Sequence, residues 1–583
     1  MSGVKHQKWW GWGVEGIGFN PEGKPNFAPF VKKAIGLDIS KPGTPPKFED
    51  LDVPAPVIDD ALRTRLLDVV GERYLLDDDL DRVVHTLGKG VRDLMRIRRG
   101  DLRRVVDVVV YPADEAQVQK IVDLCVDADA VLIPFGGGSN IVGALEPMPA
   151  ERRTVVSVDL GRMSKVLEID DESGLARIQA GALGPQIEEQ LGRRGWTMGH
   201  FPDSFNHSSL GGWIATRSTG MQSDKYGDIA DIVRGLRAVR HGEVLALRPL
   251  PSTSSGPSVR EMVIGSEGRL GIITEAWVNV HRVPEVREIV GYFFPDFTSG
   301  LDAMQEIHTS DAHTIVTRIS DANETEMSFA TQRAQKGRKK LVMNTLFGYL
   351  KRRGWDLEKM CLSYIGFEGG RRYVKQNQAI VKEIVTKHGG IVVGTGVGSV
   401  YDSKKFDTPY IRDFLLDRGA TADVSETTTP WSNLKHLYDT TIEAANHAFD
   451  TAGTKGFIMC HFAHSYHSGA CLYFTFALPD NDKATSYQNY DTVKRAIQQN
   501  FMDNGATVSH HHGVGSEHAP WMAEDISPAG TKLQRALLEG ADPGNNFNPG
   551  KILHDGEPGI AMHSYDAPAP GGVSGRAEQV PSA

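Results

Sequence analysis

Pro134-Phe135-Gly136-Gly137-Gly138-Ser139-Asn140 follows the apolar run Ala130-Val131-Leu132-Ile133, which reads as a buried strand that stops at the proline. Three consecutive glycines can take positive φ and leave no Cβ in the way. Backbone N–H groups can then turn toward an anion and almost touch it. The spacing is neither a Walker A loop, which needs Gly-Lys-Ser/Thr, nor the Gly-x-Gly-x-x-Gly of a Rossmann turn. Alone, the cluster reads equally well as a tight turn. A second loop of the same kind, Gly265-Ser266-Glu267-Gly268-Arg269-Leu270-Gly271, changes that. Two such cradles within the length of one domain suit a single long ligand with a diphosphate and a flat ring.

Working outward, residues 101 to 283 alternate short strands with helices. Val105 to Val110 is strand-like, Glu115 to Asp127 carries a helical repeat, and Thr154 to Asp159 and Ala176 to Ala180 read as strands. Pro185 to Arg193 reads as a helix with its proline near the start. A block rich in glycine and hydroxyls follows: Gly199-His200, Asp203-Ser204-Phe205-Asn206-His207-Ser208-Ser209, and Thr216-Arg217-Ser218-Thr219. Small donors at this density let a chain lie against a planar ring and hydrogen-bond to it without bulk. A loop that merely needs turn residues is the plain alternative, but it leaves the repeated blocks unexplained. A flavin dinucleotide fits them.

The composition sets the remaining bounds. A chain of 583 residues, 40% apolar and 24% charged, suggests three or four domains with large cores. A formal net charge of −10, with no reading motif for DNA or RNA, argues against a nucleic-acid binder. Cys125, Cys361, Cys460 and Cys471 form no CxxC pair, so neither a disulfide frame nor a zinc site is indicated. There is no signal-peptide core, no membrane-spanning run and no Ser-Lys-Leu-type C-terminus. A cytoplasmic protein is the expectation, with contact to a membrane surface left open.

Five segments are expected. Residues 1–100 read as an irregular arm followed by helices, with Lys8-Trp9-Trp10-Gly11-Trp12-Gly13 packing on a neighbouring domain. The basic run Arg96 to Arg104 reads as surface. Residues 101–283 form the cofactor domain and 284–500 a second α+β domain, in which Ala470 to Phe476 is a buried strand. Residues 501–555 follow it, and the Gly-, Pro-, Ala- and Ser-rich 556–583 should be disordered. His510-His511-His512, flanked by Gly513 and Gly515, would be odd in a core because each ring needs partners. In a strand, His510 and His512 would share a face. A metal site would need ligands beyond the nearby Glu517 and His518, so substrate positioning and proton transfer are the preferred reading, with no metal.

The motifs Gly199-His-x-Pro-Asp-Ser204, Ser209-Leu-Gly-Gly-Trp213, Gly265-Ser-Glu-Gly268 and Ser509-His-His-His-Gly-Val-Gly515 carry a family resemblance that runs from Lys8 to Lys551. The sequence resembles flavoproteins that share the FAD-binding domain of p-cresol methylhydroxylase and vanillyl-alcohol oxidase. Within them it resembles the alkyldihydroxyacetonephosphate synthase family. The resemblance implies an α+β fold: a two-part FAD-binding domain, a cap that supplies substrate contacts, and a segment over 501–555 that returns to the flavin. It places FAD on Pro134–Asn140, Asp203–Ser209, Thr216–Thr219 and Gly265–Gly271. It makes Tyr473 the acid–base residue beside His510, His511 and His512, and gives Arg412, Arg318 and His200 to the substrate. Relatives that attach flavin covalently at the first loop have a histidine where this chain has Ser139, so FAD should be held noncovalently.

The activity implied is a net non-redox exchange with the flavin as covalent catalyst. The fatty acid of acyl-dihydroxyacetone phosphate is replaced by a long-chain alcohol, an ether-lipid synthesis. A 2-hydroxyacid dehydrogenase of the D-lactate or glycolate type is the first alternative, and a flavin- or lipid-binding scaffold without turnover the second. Arg333 to Arg353, basic at both ends around Leu341–Leu350, reads as an interfacial helix for anionic lipid. Its Leu, Met, Phe and Tyr side chains would enter the acyl boundary. A homodimer is compatible with the sequence.

Overall fold

The computed structural model of the chain describes residues 2–334, 337–480 and 485–553, and for Arg338, Lys339 and Lys340 the backbone only. Lys336 of the basic segment and the tail expected over 556–583 lie outside the described residues.

The cofactor domain is built on two sheets. In the first, Val108–Val110, Val155–Asp159 and Val131–Phe135 run parallel, and the helix Glu115–Asp127 makes the crossover that parallel strands require. Asp114 starts that helix by accepting from the Gln117 N–H at 2.9 Å. Leu75–Leu76 adds an antiparallel strand, and Leu62, Leu66 and Val70 enter the same core. The apolar face of the helix Asp60–Val70, ahead of residue 101, is thus buried against this sheet. The second sheet is antiparallel, in the order Val166–Asp170, Leu175–Gln179, Ile272–Asn279, Val233–Arg240 and Glu243–Leu247.

The second domain is one seven-stranded antiparallel sheet. Its order is Ile391–Gly394, Val286–Phe294, Cys361–Gly369, Val316–Ser320, Phe457–Ser465, Gly469–Pro479 and Ala420–Pro430. One face is covered by the helices Phe297–Thr309, Arg371–Lys387, Leu434–Thr451 and Ser486–Asp503. Strand alternation then decides the roles along Gly469–Pro479. Leu472, Phe474, Phe476 and Leu478 enter that helix-covered core, whereas Tyr473, Thr475 and Ala477 line a cavity facing the cofactor domain.

Two expectations are corrected. The run Arg96 to Arg104 is not a free surface. The helix Val91–Arg98 is almost wholly buried, and Arg96 donates to Glu146 at 2.5 Å and pairs with Asp101. The helix Arg338–Arg352 does not offer all its apolar residues to solvent. Leu350 is fully buried, and Met343, Leu346 and Phe347 pack on the cap, leaving Leu341, Val342 and Tyr349 exposed.

Candidate active site

The cradle starts at the sheet edge. Val131–Phe135 does not end at Pro134 but passes through it, paired with Val158; a missing N–H is tolerated on an edge strand. Among the three glycines only Gly138 has a positive φ, +65°. The other two are required by close approach. A Cβ on Gly136 would lie 2.1 Å from Ser209 Oγ, and one on Gly137 would lie 1.8 Å from the His207 carbonyl oxygen. The first loop thus lies directly on the 207–209 loop. Among the described residues no group accepts from the N–H groups of Gly136, Gly137, Gly138 or Ser139. Those donors border a cavity of about 510 Å³, so they suit the pyrophosphate of a dinucleotide. Asn548 adds a buried side-chain oxygen without a partner on the same cavity wall. Gly137→Asp should leave the purified protein colourless, with flavin content about a tenth of the parent or less. It adds a collision and a negative charge at the donors, and absorbance of acid-released flavin checks it.

From the cap face, Tyr473 projects toward this loop system. It stacks with His461 (4.7 Å between ring centroids, 16°), its cross-strand neighbour, and with His511 (5.8 Å, 22°). Burial raises the Tyr473 phenol well above its usual 10, and Asp203, Glu426 and Asp423 add to this while Arg318 opposes it. Arg318 donates to Glu324 at 2.5 Å, and Glu324 meets His461 Nδ1 at 2.9 Å. Burial alone would raise Glu324, but His461 and Arg318 hold it at about 2. His461 Nδ1 also lies 3.1 Å from Arg318, yet one ring nitrogen cannot both donate and accept. The contact to the carboxylate assigns the proton to Nδ1 and leaves Nε2 as an acceptor.

His510–His512 lie on a loop, not a strand, and the loop is wound around Glu426. This carboxylate accepts from the N–H groups of His510 (2.7 Å), His511 (3.2 Å) and His512 (3.1 Å) and from Ser509 Oγ (2.8 Å). Burial disfavours its charge, but the surrounding histidines keep it well below the ordinary carboxylate range. His510, lowered to about 3 mainly by burial, turns away to Tyr466 at 2.5 Å, so His511 and His512 line the cavity and His510 does not. Glu267, at a left-handed φ of +49°, fixes the end of the loop by accepting from the N–H groups of Val514 (2.6 Å) and Gly515 (2.8 Å).

Arg412 lines the cavity from the cap helix Thr408–Leu416. Three of its five N–H groups are engaged, two with Asp413 Oδ1 and one with the Lys89 carbonyl at 2.6 Å. Two donors remain for an anion.

The cavity also takes Pro134, Phe135, Gly136–Asn140, Asp203, Ser204, Ser208, Ser209, Thr216, Ser218, Thr219, Glu267, Gly268, Gly271 and Arg318. It does not take Phe205, Asn206, His207, Arg217, Gly265, Ser266, Arg269 or Leu270, which stand behind the loops. Phe205 stacks on Phe406, and Arg269 donates to Asn545 at 2.7 Å. His200 is also walled off, bonded to Ser218 Oγ at 2.8 Å and lowered to about 3 by burial. Glu426, His461, Glu324 and His464 were not singled out from sequence. Glu426 is a lone acid within Ser425–Thr429, and cross-strand pairing places both it and His461 beside Tyr473. No local pattern marks that pairing.

Among the described residues two groups could offer three or more metal ligands: Glu426, Cys471, His510 and His511, and separately His6, His85 and Asp159. In the first, the Glu426 oxygens are already engaged by N–H and O–H donors. In the second, His85 Nε2 lies 2.9 Å from Asp159 and His6 Nε2 lies 3.4 Å from it, beneath Phe135.

Residues 106–247 match the model of the FAD binding domain, and 283–552 match the C-terminal domain of FAD linked oxidases. FAD is therefore the cofactor. A solved p-cresol methylhydroxylase structure, 14% identical with a TM-score of 0.64 over 86% of this chain and 99% of that one, shares the fold. A solved alkyldihydroxyacetonephosphate synthase structure is 35% identical, with a TM-score of 0.82 over 93% of this chain and 98% of that one. The alkyldihydroxyacetonephosphate synthase of Dictyostelium discoideum is 40% identical over 480 residues, 82% of this chain and 78% of that protein. The chain belongs to the alkyldihydroxyacetonephosphate synthase family.

Proposed function

We propose that the protein exchanges the acyl group of acyl-dihydroxyacetone phosphate for a long-chain fatty alcohol, releasing the fatty acid and forming alkyl-dihydroxyacetone phosphate. The observation that carries this is the two-part character of one cavity. Its polar part gathers the cradle, Arg318, Arg412, Tyr473, His511 and His512, and its apolar part is lined by Phe27, Phe30, Val31, Ile35, Leu415 and Phe457. A phosphate-headed lipid uses both parts. Lactate or glycolate has no use for the second, which tells against the dehydrogenase.

In this reading the two uncommitted N–H groups of Arg412 hold the substrate phosphate as a fork. Tyr473, kept neutral by burial, moves a proton at the carbon beside the substrate ketone, with His461 and His511 stacked on it. His511 and His512 are held in place by Glu426 rather than by a metal. The bound flavin supplies the nucleophile that splits one displacement into two. Gly136–Ser139 would hold its pyrophosphate, and Ser139 offers no covalent attachment, so acid should release all of the flavin from the chain. Anaerobic mixing with acyl-dihydroxyacetone phosphate and labelled fatty alcohol tests the function. Labelled ether product is expected; flavin bleaching by D-lactate or glycolate without label transfer would overturn the reading.

The lipid is reached from a membrane surface. Among the described residues no helix is long and apolar enough to cross a membrane. The helix Arg338–Arg352 instead exposes Leu341 (67%), Val342 (64%) and Tyr349 (52%) between basic ends. Each Lys or Arg near an anionic surface adds about 1 kcal/mol. Reversing Lys339, Lys340, Lys351 and Arg352 to Glu should abolish binding to phosphatidylserine vesicles at unchanged FAD content. Native binding should weaken with salt, and co-sedimentation measures both.

A further inference from the structure

Residues 7–13 belong to neither domain core, yet they touch both halves of the site. On the cofactor side, Gln7 Nε2 donates to the carbonyl of Gly137 at 3.0 Å, within the cradle itself. Gln7 Oε1 accepts from the Gly13 N–H at 2.9 Å, and Lys8 N–H donates to the Gly13 carbonyl at 2.8 Å, which closes the arm into a small ring. On the cap side, the Trp12 N–H donates to Asp413 Oδ2 at 2.5 Å, and Lys8 Nζ lies 3.5 Å from the same oxygen. The other oxygen, Oδ1, faces Arg412 NH2 at 3.2 Å. One buried carboxylate is divided between the arm and the arginine.

We propose that Asp413 is a positioning residue for Arg412, and that the arm sets the span between the flavin cradle and the substrate phosphate by holding Asp413 Oδ2. The proposal rests on the reading of Arg412 given above. Two glycines indicate how tightly the arm docks. A Cβ on Gly11 would lie 2.3 Å from Asp413 Oδ2, and one on Gly13, at φ +72°, would lie 2.4 Å from the Tyr410 hydroxyl oxygen. Without the arm, Oδ2 would face a buried site with neither of its partners. The carboxylate would turn to find others, and the guanidinium would lose the contact that fixes its plane. An unfixed Arg412 must be ordered by the substrate, which weakens phosphate binding about tenfold.

The test is a mutant cycle on the full-length holoenzyme with Gly11→Ala, Asp413→Asn and the double variant, with Arg412→Lys alongside. Each single variant should raise KM for acyl-dihydroxyacetone phosphate about tenfold. KM for the fatty alcohol and FAD content should stay at parent values, a split that general loosening of the fold would not produce. The double variant should be no worse than the worse single, because both act through one carboxylate. If Arg412→Lys leaves that KM unchanged, the phosphate reading fails and the proposal falls with it. If Arg412→Lys raises it while Gly11→Ala and Asp413→Asn do not, or if their effects multiply, the proposal alone is overturned. Should Asp413→Asn not load flavin, Gln7→Ala, which frees the arm from the cradle, replaces it in the cycle with the same expected outcomes.

Discussion

Tyr473→Phe should bind FAD and fold like the parent while turning over about 10²–10⁴-fold more slowly, the range expected for losing a positioned proton-transfer group. The substitution keeps the ring, and so keeps the stacking on His461 and His511. Among the described residues none hydrogen-bonds to the hydroxyl it removes, so none of them loses a partner. Stability should therefore change little and kcat should carry the whole effect. Flavin absorbance, thermal unfolding and label incorporation separate the three quantities. Turnover within a factor of two of the parent would remove Tyr473 from the chemistry.

The second large effect is expected at a residue that does not line the cavity. Glu426→Gln places an amide where N–H groups converge from His510, His511 and His512. One end of the new side chain is a donor facing donors, and the negative charge that balances them is gone. Breaking a buried charge set of this kind costs on the order of 3–5 kcal/mol. The histidine loop should lose its shape and activity should fall below detection, with the cofactor domain still able to hold FAD.

The pH dependence carries a matching signature. The folded-state value of Glu426 lies below its ordinary 4.5. Its contribution is therefore complete above pH 4.5 and is lost as the pH falls toward the depressed value. Glu324, held at about 2, acts in the same direction. The parent should lose stability steeply between pH 4.5 and 2, and the Gln variant should start lower and lose less over that window. Equal slopes in acid titrations followed by tryptophan fluorescence would mean that Glu426 is not charged in the fold.

What the sequence made legible was mostly local. The cradle reads directly from an apolar run meeting glycines, and the helix Glu115–Asp127 reads from its 3.6-residue repeat. Even there, the reason for the glycines was only half visible. A Cβ on Gly137 would collide with a loop 70 residues away. Charged stretches misled in the same way. Arg96 looks like surface because it sits in a run of arginines, yet it is buried between the nearby Asp101 and Glu146, 50 residues away. Glu426, His461 and Tyr473 are neighbours only through strand pairing, so their constellation is a property of the register of Ala420–Pro430, Gly469–Pro479 and Phe457–Ser465. The family motifs supplied Tyr473 and Arg412, but not the carboxylates that hold their surroundings in place.

The strand that delivers the cradle has a partner from far along the chain. The Leu132 N–H donates to the Asn546 carbonyl at 2.7 Å, and the Asn548 N–H returns to the Leu132 carbonyl at 2.9 Å. Asn548 also ties Ala144 to Glu267, and Lys551 donates to the Glu146 carbonyl at 2.7 Å. During synthesis these residues leave the ribosome some 400 positions after the strand they complete, a delay on the order of 20–80 s at about 5–20 residues per second. Throughout that interval the edge of Val131–Phe135 is an unpaired template open to strangers. Until residues 546–548 arrive, the strand that carries the cradle lacks both of these hydrogen bonds.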